Sequence, residues 1–298
     1  MNSFSSHITP QTLLPAALQG WEMYLKDQGR SPYTIKAFLG DMNLLLNFLP
    51  PDQPIGAIST RDLNNFLHWL QNGRDVPCSP KSLARRITSL KAFFRWLHQA
   101  GRIPADPAEK VLQQSVLSPL PQVLTLAEQQ AIHQAALTLY QAARPDARPL
   151  TLLTLLLQTG IKKSECLNLH LNHINLESPN GALICIRYAN TRNRYKERDI
   201  PLTAEWIRYY QTYLLQYNPT EQVFPWSPRR LEYILEDLSL AAALDKHVSF
   251  DMCRWTCALN DWQSGMDKET LRQKLGVSAI QWREIQLKLR HLSEQYPA

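Results

Sequence analysis

The residues of this chain best equipped for chemistry are cations, and they fall into two groups. Lys81, Arg85, Arg86, Lys91 and Arg95 recur along one stretch, and Arg192, Arg194, Lys196 and Arg198 place four cations within seven residues. Ammonium and guanidinium groups at that density suit phosphate oxygens, so the partner they point to is a polyanion. The competing reading is an ordinary solvated basic face. Metal chemistry has less support. Cys78, Cys166, Cys185, Cys253 and Cys257 are odd in number, form no CxxC pair and stand at no zinc-finger spacing from a histidine. They read as buried reduced thiols, and no metal is expected. Trp96, Trp206, Trp226, Trp255, Trp262 and Trp282 sit at core-compatible helical positions and read as packing rather than as base-stacking platforms.

Composition narrows the classes. With 298 residues, 44% of them hydrophobic, and a net charge of +6, the chain can bury a substantial core and is not a disordered protein. The most apolar stretch, Leu150 to Leu157, is far shorter than the ~20 residues of a membrane span. The opening Met-Asn-Ser-Phe-Ser-Ser-His has no basic region followed by an apolar run, so no signal peptide is expected, and the expected location is cytoplasmic.

Cations so placed need a scaffold, and the scaffold reads as helical. Ser31-Pro32 supplies an N-cap and an N1 proline ahead of Ile35, Phe38, Leu39, Met42, Leu45, Leu46 and Leu49, spaced by threes and fours. Ser59 and Asp62 resemble a capping box opening a helix that Gly73 closes, and Ser79-Pro80 opens a third helix with a stripe of Leu83, Ile87, Leu90, Phe94 and Leu97. Pro104, Pro107, Pro119 and Pro121 then mark a seam. The expected division is a helical domain over 1–112, a linker over 113–124 and a second domain over 125–298. In the second domain Thr125 and Glu128 cap a helix, Leu150–Thr159 is a buried helix stopped by Gly160, and residues 182–188 and 197–202 are the good strand candidates. The basic stretch between them predicts a hairpin. Helices are expected again at Thr203, at Ser227-Pro228, around Arg254, after Asp267 and from Ser278 towards Arg290. The fold class is therefore mainly α with a small β-hairpin or sheet, in two domains.

In that setting several strings become recognisable. Ser31-Pro32-Tyr33-Thr34-Ile35 and the run from Ser79-Pro80-Lys81 to Ala92-Phe93-Phe94 resemble the two characteristic helices of the core-binding domain of tyrosine recombinases, the phage-integrase and Xer-like enzymes. Leu120-Pro121-Gln122-Val123-Leu124-Thr125 is similar to the family's entry into its catalytic domain. The segment Leu156 to Leu169 resembles the box presenting its first arginine, Lys196 to Leu202 the second strand of its hairpin, and Leu275-Gly276-Val277-Ser278 the turn before its nucleophile helix. The resemblance covers nearly the whole chain and implies the family's architecture: a helical core-binding domain and an α/β catalytic-type domain.

What the family's chemistry requires can be compared position by position. In the family a tyrosine attacks a DNA phosphodiester while two arginines, a lysine and histidine or tryptophan groups neutralise charge and move protons, without metal or nucleotide cofactor. Here the first arginine position holds Lys162, which keeps the charge but loses the planar fork. The hairpin lysine falls on Asn193, three residues before Lys196, and the His-x-x-Arg box reads Asp251-Met252-Cys253-Arg254. The next histidine or tryptophan is Val277, and the nucleophile, nine residues beyond Val277 and thirty-two beyond Arg254, is Gln286. Of the six positions only Arg254 matches the family.

The resemblance thus implies a double-stranded-DNA-binding protein acting in DNA recombination or integration that is unable to cleave strands, with Lys81, Arg85, Arg86, Lys91, Arg95, Lys162, Arg192, Arg194, Lys196 and Arg254 as candidate DNA contacts. An inactive partner of an intact recombinase, an architectural or regulatory binder and a mobile-element relic are the roles it leaves open. The family docks a C-terminal helix onto a neighbouring subunit, so copies of this chain are also candidate partners, and Leu287–Tyr296 is long enough to attempt that docking. Two alternatives stand: an active recombinase with Tyr296 as a displaced nucleophile in a C-terminal tail and His247 replacing the lost histidine, or a helical protein-interaction scaffold without DNA.

Overall fold

The computed structural model describes residues 8–112, 119–179 and 181–297 and divides the chain into two units, Met1–Pro119 and Leu120–Ala298. Residues 113–118, the heart of the expected linker, lie outside the described residues, as does the N-terminal heptapeptide. The linker's last part is not free chain: Val123 and Leu124 are buried in the second unit, and the Leu124 N–H donates to Thr256 Oγ1 at 2.9 Å.

The first unit contains α1 (Leu14–Asp27), α2 (Pro32–Phe48), α3 (Thr60–Asn72) and α4 (Pro80–Gln99). The start signals act as expected. Ser31 Oγ accepts from the Thr34 N–H and Ser79 Oγ from the Ser82 N–H, each ahead of an N-terminal proline, while Ser59 and Asp62 cap one another reciprocally. The helix α1 carries no side-chain cap and was not anticipated, but Leu14, Ala17, Leu18, Trp21 and Leu25 make one buried stripe. Trp21 stacks on Phe38 and meets Phe93 edge-on, joining α1, α2 and α4. A buried carboxylate adds a polar tie. Asp41 on α2 accepts from Arg85 Nη1 at 2.5 Å and Ser89 Oγ at 2.7 Å, with Arg86 Nε at 3.6 Å.

The second unit is built around α6 (Arg148–Thr159), whose Leu150, Leu152, Leu153, Leu155 and Leu156 are all fully buried. A helix apolar on every side needs neighbours on every side. These are α5 (Leu126–Tyr140), α8 (Ala204–Tyr217), α9 (Pro228–Ala241) and α10 (Phe250–Gln263). Gly160 ends α6 at φ +58°, and a Cβ there would stand 3.2 Å from Cys257 Sγ, so glycine is required twice over. The short α7 (Lys163–Leu167) follows, then the sheet, and α11 (Lys268–Lys274) and α12 (Ala279–Gln295) close the unit.

The sheet has three antiparallel strands in the order β1 (Ile174–Asn175), β2 (Leu183–Ile186) and β3 (Arg198–Pro201). The expected hairpin is present, with Leu183 opposite Pro201 and Ile186 opposite Arg198. It is shorter than expected and gains β1 on its far edge; two residues are too few to show an alternating pattern. Ile184, Ile186 and Ile200 face the core, and Pro201 is tolerated because β3 is an edge strand. The polar link between β2 and β3 is an ordered 3-10 turn over Thr191–Lys196, not an open loop. Cys166, Cys253 and Cys257 are buried free thiols as read, whereas Cys78 and Cys185 are only half-buried. Of the eight tryptophans, the six read above as packing do pack, with Trp96, Trp206 and Trp282 buried and Trp226, Trp255 and Trp262 half-buried against the cores.

Candidate functional site

Four local signals bring distant residues of the second unit together. The αL turn at Gly160 swings the chain so that Lys162 begins α7; the hairpin returns Lys196 and Arg198; α10 presents Arg254; and the turn after α11 offers the carbonyls of Leu275 and Gly276. Arg254 donates through Nη1 to Gly160 O and through Nη2 to Leu275 O at 2.6 Å. Lys162 Nζ lies 3.4 Å from Gly276 O.

Lys196 joins them by a route that sequence comparison places elsewhere. Its Nζ is 2.8 Å from Oδ1 of Asn193, the residue at the expected lysine position, and it lies over the rings of Tyr195 and Tyr188 at 5.1 and 5.9 Å. The turn therefore delivers a lysine to the site from three residues further along the chain.

A carboxylate holds this arrangement. Glu165, with its side chain 1% exposed, accepts from Arg198 Nη1 at 3.0 Å and Nη2 at 2.8 Å, from the Lys162 N–H at 2.8 Å and from the Tyr188 hydroxyl. Burial pushes its pKa up, but the Arg198 hydrogen bonds and charge and the other donors outweigh this and hold it at about 2. Arg198 also donates to Lys274 O at 2.5 Å and Lys196 O at 3.0 Å. Sequence reading counts Arg198 among the DNA-reaching cations of the hairpin; the structure makes it a buried clamp between β3, α7 and α11. Glu165 was missed, although an acid three residues after Lys162 is the spacing of a capping box.

The electrostatics of Lys162 follow from its surroundings. Burial is the main force lowering its pKa; Glu165 opposes this, and Arg254, Lys196 and Arg198 add to it, leaving a value of about 8. Burial also lowers the pKa of Arg254, against Glu165. With Glu165 engaged by Arg198, the cations of Lys162, Lys196 and Arg254 make a local positive excess that an anion would relieve.

The remaining candidates are distributed as follows. Arg192 and Arg194 are exposed on the 3-10 turn. Asp251 is exposed in the first turn of α10, Val277 is buried among apolar neighbours, and Gln286 is half-buried on α12. In the first unit Lys81, Arg85 and Arg95 are exposed along one flank of α4 and Lys91 is half-exposed. Arg86 departs from that face: its side chain is 14% exposed, turned to Asp41 and, at 2.6 Å, to Cys78 Sγ. Asp41 also pairs with Arg85 at 2.5 Å, but the Arg85 side chain stays 45% exposed.

Tyr296 does not lie in a loose tail. Its carbonyl accepts from Gln263 Nε2 at 2.5 Å, its ring lies under Lys246 Nζ at 5.8 Å, and it packs with the cluster containing Leu289 and Leu292. Gln263 is nine residues beyond Arg254, hence about 13 Å along α10 and about 180° round it. His247 is exposed, three residues before α10 begins.

Comparison with known proteins agrees with this geometry. Residues 18–101 match the model described as phage integrase, N-terminal SAM-like domain, and residues 122–284 match that of the phage integrase family. Tyrosine recombinase XerC of Lacticaseibacillus casei is 26% identical over 94% of this chain and 96% of its own. Tyrosine recombinase XerD of Listeria innocua is 23% identical over 91% of this chain and 94% of its own. Among solved structures, a lambda integrase tetramer bound to a Holliday junction superposes with a TM-score of 0.72 at 16% identity, covering 92% of this chain and 77% of that one. XerH recombinase bound to palindromic difH substrate, a post-cleavage complex, gives 0.70 at 16% identity over 90% and 80%. The mainly helical two-domain fold is the one these structures share.

Proposed function

The chain belongs to the phage integrase family of tyrosine recombinases, and from that premise we propose that it binds duplex DNA in recombination, gripping backbone phosphate without cutting the strand. One observation carries the reading: Lys162, Lys196 and Arg254 still gather into a cationic site, while the nucleophile position is Gln286. An amide cannot form a phosphotyrosine. Asp251 replaces a proton-moving histidine with an acid that repels phosphate, and Val277 offers no donor. A catalytic set that acts as a unit loses most of its rate when one member goes, and losing the nucleophile ends the covalent route.

Binding needs less than cleavage. Lys81, Lys91 and Arg95 on α4, with the part of Arg85 that its pairing with Asp41 leaves exposed, and Arg192, Arg194 and Lys196 on the turn supply enough cations for ~6–10 phosphate contacts, which position a protein on DNA without specifying sequence. The lambda integrase and XerH structures are DNA complexes by their titles, which supports a DNA partner here, with an intact recombinase or further copies of this chain as companions on it. Among the described residues no helix is long and apolar enough to cross a membrane.

Two measurements test the proposal together. A mobility-shift titration on a duplex should show binding whose log K falls with log salt at about −0.9 per phosphate contacted. A nicked suicide duplex, which traps any covalent intermediate, should yield no protein–DNA adduct. Absence of salt-sensitive binding overturns the DNA reading, and an adduct overturns the loss of cleavage.

A further inference from the structure

Tyr195 is 63% exposed at the crest of the 3-10 turn, between Arg194 and Lys196 and beside Arg192. An aromatic ring so exposed contributes little to a core. The turn beneath it is nevertheless well held: Asn190 Oδ1 accepts from the Arg192 N–H at 3.0 Å, the Asn190 carbonyl from the Asn193 N–H at 2.9 Å, and Glu197 Oε1 from the Tyr188 N–H at 3.0 Å. Lys196 over the ring keeps it from swinging freely.

The ring stands at a cleft of 910 Å³ in the second unit, lined also by Met266 and Val277 and by Asp199, Arg272, Gln273 and Lys274. That size is within the ~300–1,000 Å³ of small-ligand sites. Apolar side chains line part of it. Donors and acceptors are both present in the lining, and its charged groups are largely paired, Asp199 with Arg187, Arg272 with Glu269 and Lys274 with Asp261. Cations flanking an aromatic ring match phosphates flanking a base.

From this juxtaposition we propose that the cleft receives an unstacked nucleobase, with Tyr195 stacking on it while Arg192 and Arg194 hold the neighbouring phosphates. The proposal rests on the DNA-binding reading and deepens it: the preferred substrate is DNA with a base out of its stack, the state found at bulges and strand openings. Releasing a base costs least where it is already unpaired, so such DNA binds best.

The test uses the full chain and three duplexes of equal length: fully paired, with one unpaired 2-aminopurine, and with one unpaired thymine. Both duplexes with an unpaired base should bind about tenfold tighter than the paired one, the usual scale of a single base–aromatic stack. The 2-aminopurine emission should change on binding. Tyr195→Leu should remove both the preference and the emission change while leaving paired-duplex affinity and its salt slope intact, and Tyr195→Phe should keep both. Equal affinity for all three duplexes, or a preference that survives Tyr195→Leu, overturns the proposal while leaving DNA binding standing. No binding to any duplex overturns the function reading itself.

Discussion

Lys162 and Arg254, 92 residues apart in the chain, donate to adjacent carbonyls: Lys162 Nζ to Gly276 O at 3.4 Å and Arg254 Nη2 to Leu275 O at 2.6 Å. The turn after α11 thus fixes the spacing of two cations whose own elements are unrelated in sequence. An ammonium has three N–H groups and a guanidinium five, so anchoring to a carbonyl is compatible with gripping a phosphate.

The lysine makes the site titratable. Its pKa is lowered from 10.5 to about 8 by burial and by Arg254, Lys196 and Arg198, against Glu165. A bound phosphate favours its charged form, so DNA affinity should fall as pH rises through 8, by at most about tenfold per unit. Lys162→Arg should flatten the profile, as measured by fluorescence anisotropy between pH 6.5 and 9.5. The stability effect has the opposite sign. Between about 8 and 10.5 the unfolded chain holds a proton the folded one has shed, so Lys162 contributes a rise in stability with pH there.

On the proposed reading of position 286, a tyrosine placed there should not by itself give cleavage. Gln286→Tyr supplies a hydroxyl, but Asp251 and Val277 still provide no proton donor. On a nicked suicide duplex the single variant should give no covalent adduct on a denaturing gel. An adduct from Gln286→Tyr would show that Lys162, Lys196 and Arg254 suffice for the chemistry.

The Glu165–Arg198 pair should dominate acid sensitivity in the second unit. The carboxyl pKa is about 2 in the fold against an ordinary 4.5. Its stabilisation, on the order of 3 kcal/mol, is fully present above pH 4.5 and is lost as pH falls towards 2. Glu165→Gln leaves the Arg198 guanidinium buried without its counter-charge and should cost roughly 3–5 kcal/mol. Urea denaturation at pH 7 and pH 3 checks both, since the variant should lose most of the wild-type difference between the two pH values.

On α4 the exposed and inward cations should separate cleanly. Lys81→Gln should weaken duplex binding and reduce the salt slope by about 0.9 with little change in melting temperature. Arg86→Gln should lower the melting temperature instead, because Arg86 faces the buried Asp41 and Cys78. A slope change from Arg86→Gln as large as that from Lys81→Gln would place Arg86 on the DNA-facing side.

Much of the architecture was legible in the sequence because it is locally encoded. Ser31, Ser59, Ser79, Thr125 and Ser278 each cap the helix that follows within three residues, and the leucines of α6 announce a central helix by composition alone. These interactions span a few residues, so spacing is enough to read them. The strings that resemble the family were equally visible, since residue identity and spacing need no coordinates.

Side-chain direction was decided elsewhere. Arg86 and Arg198 look no different in sequence from Lys81 and Arg194, yet both turn inward, Arg198 onto Glu165 and Arg86 towards Asp41 and Cys78, while Arg85 pairs with Asp41 and stays half-exposed. Lys196 reaches the site at Asn193 because a 3-10 turn folds the two together, and Tyr296 is fixed by Gln263 rather than trailing free. Sequence by itself determined the family and the helical two-domain plan. Which cations remain available to a phosphate and which are held by the protein depended on long-range pairing with buried acids and carbonyls, and only the tertiary structure decided that.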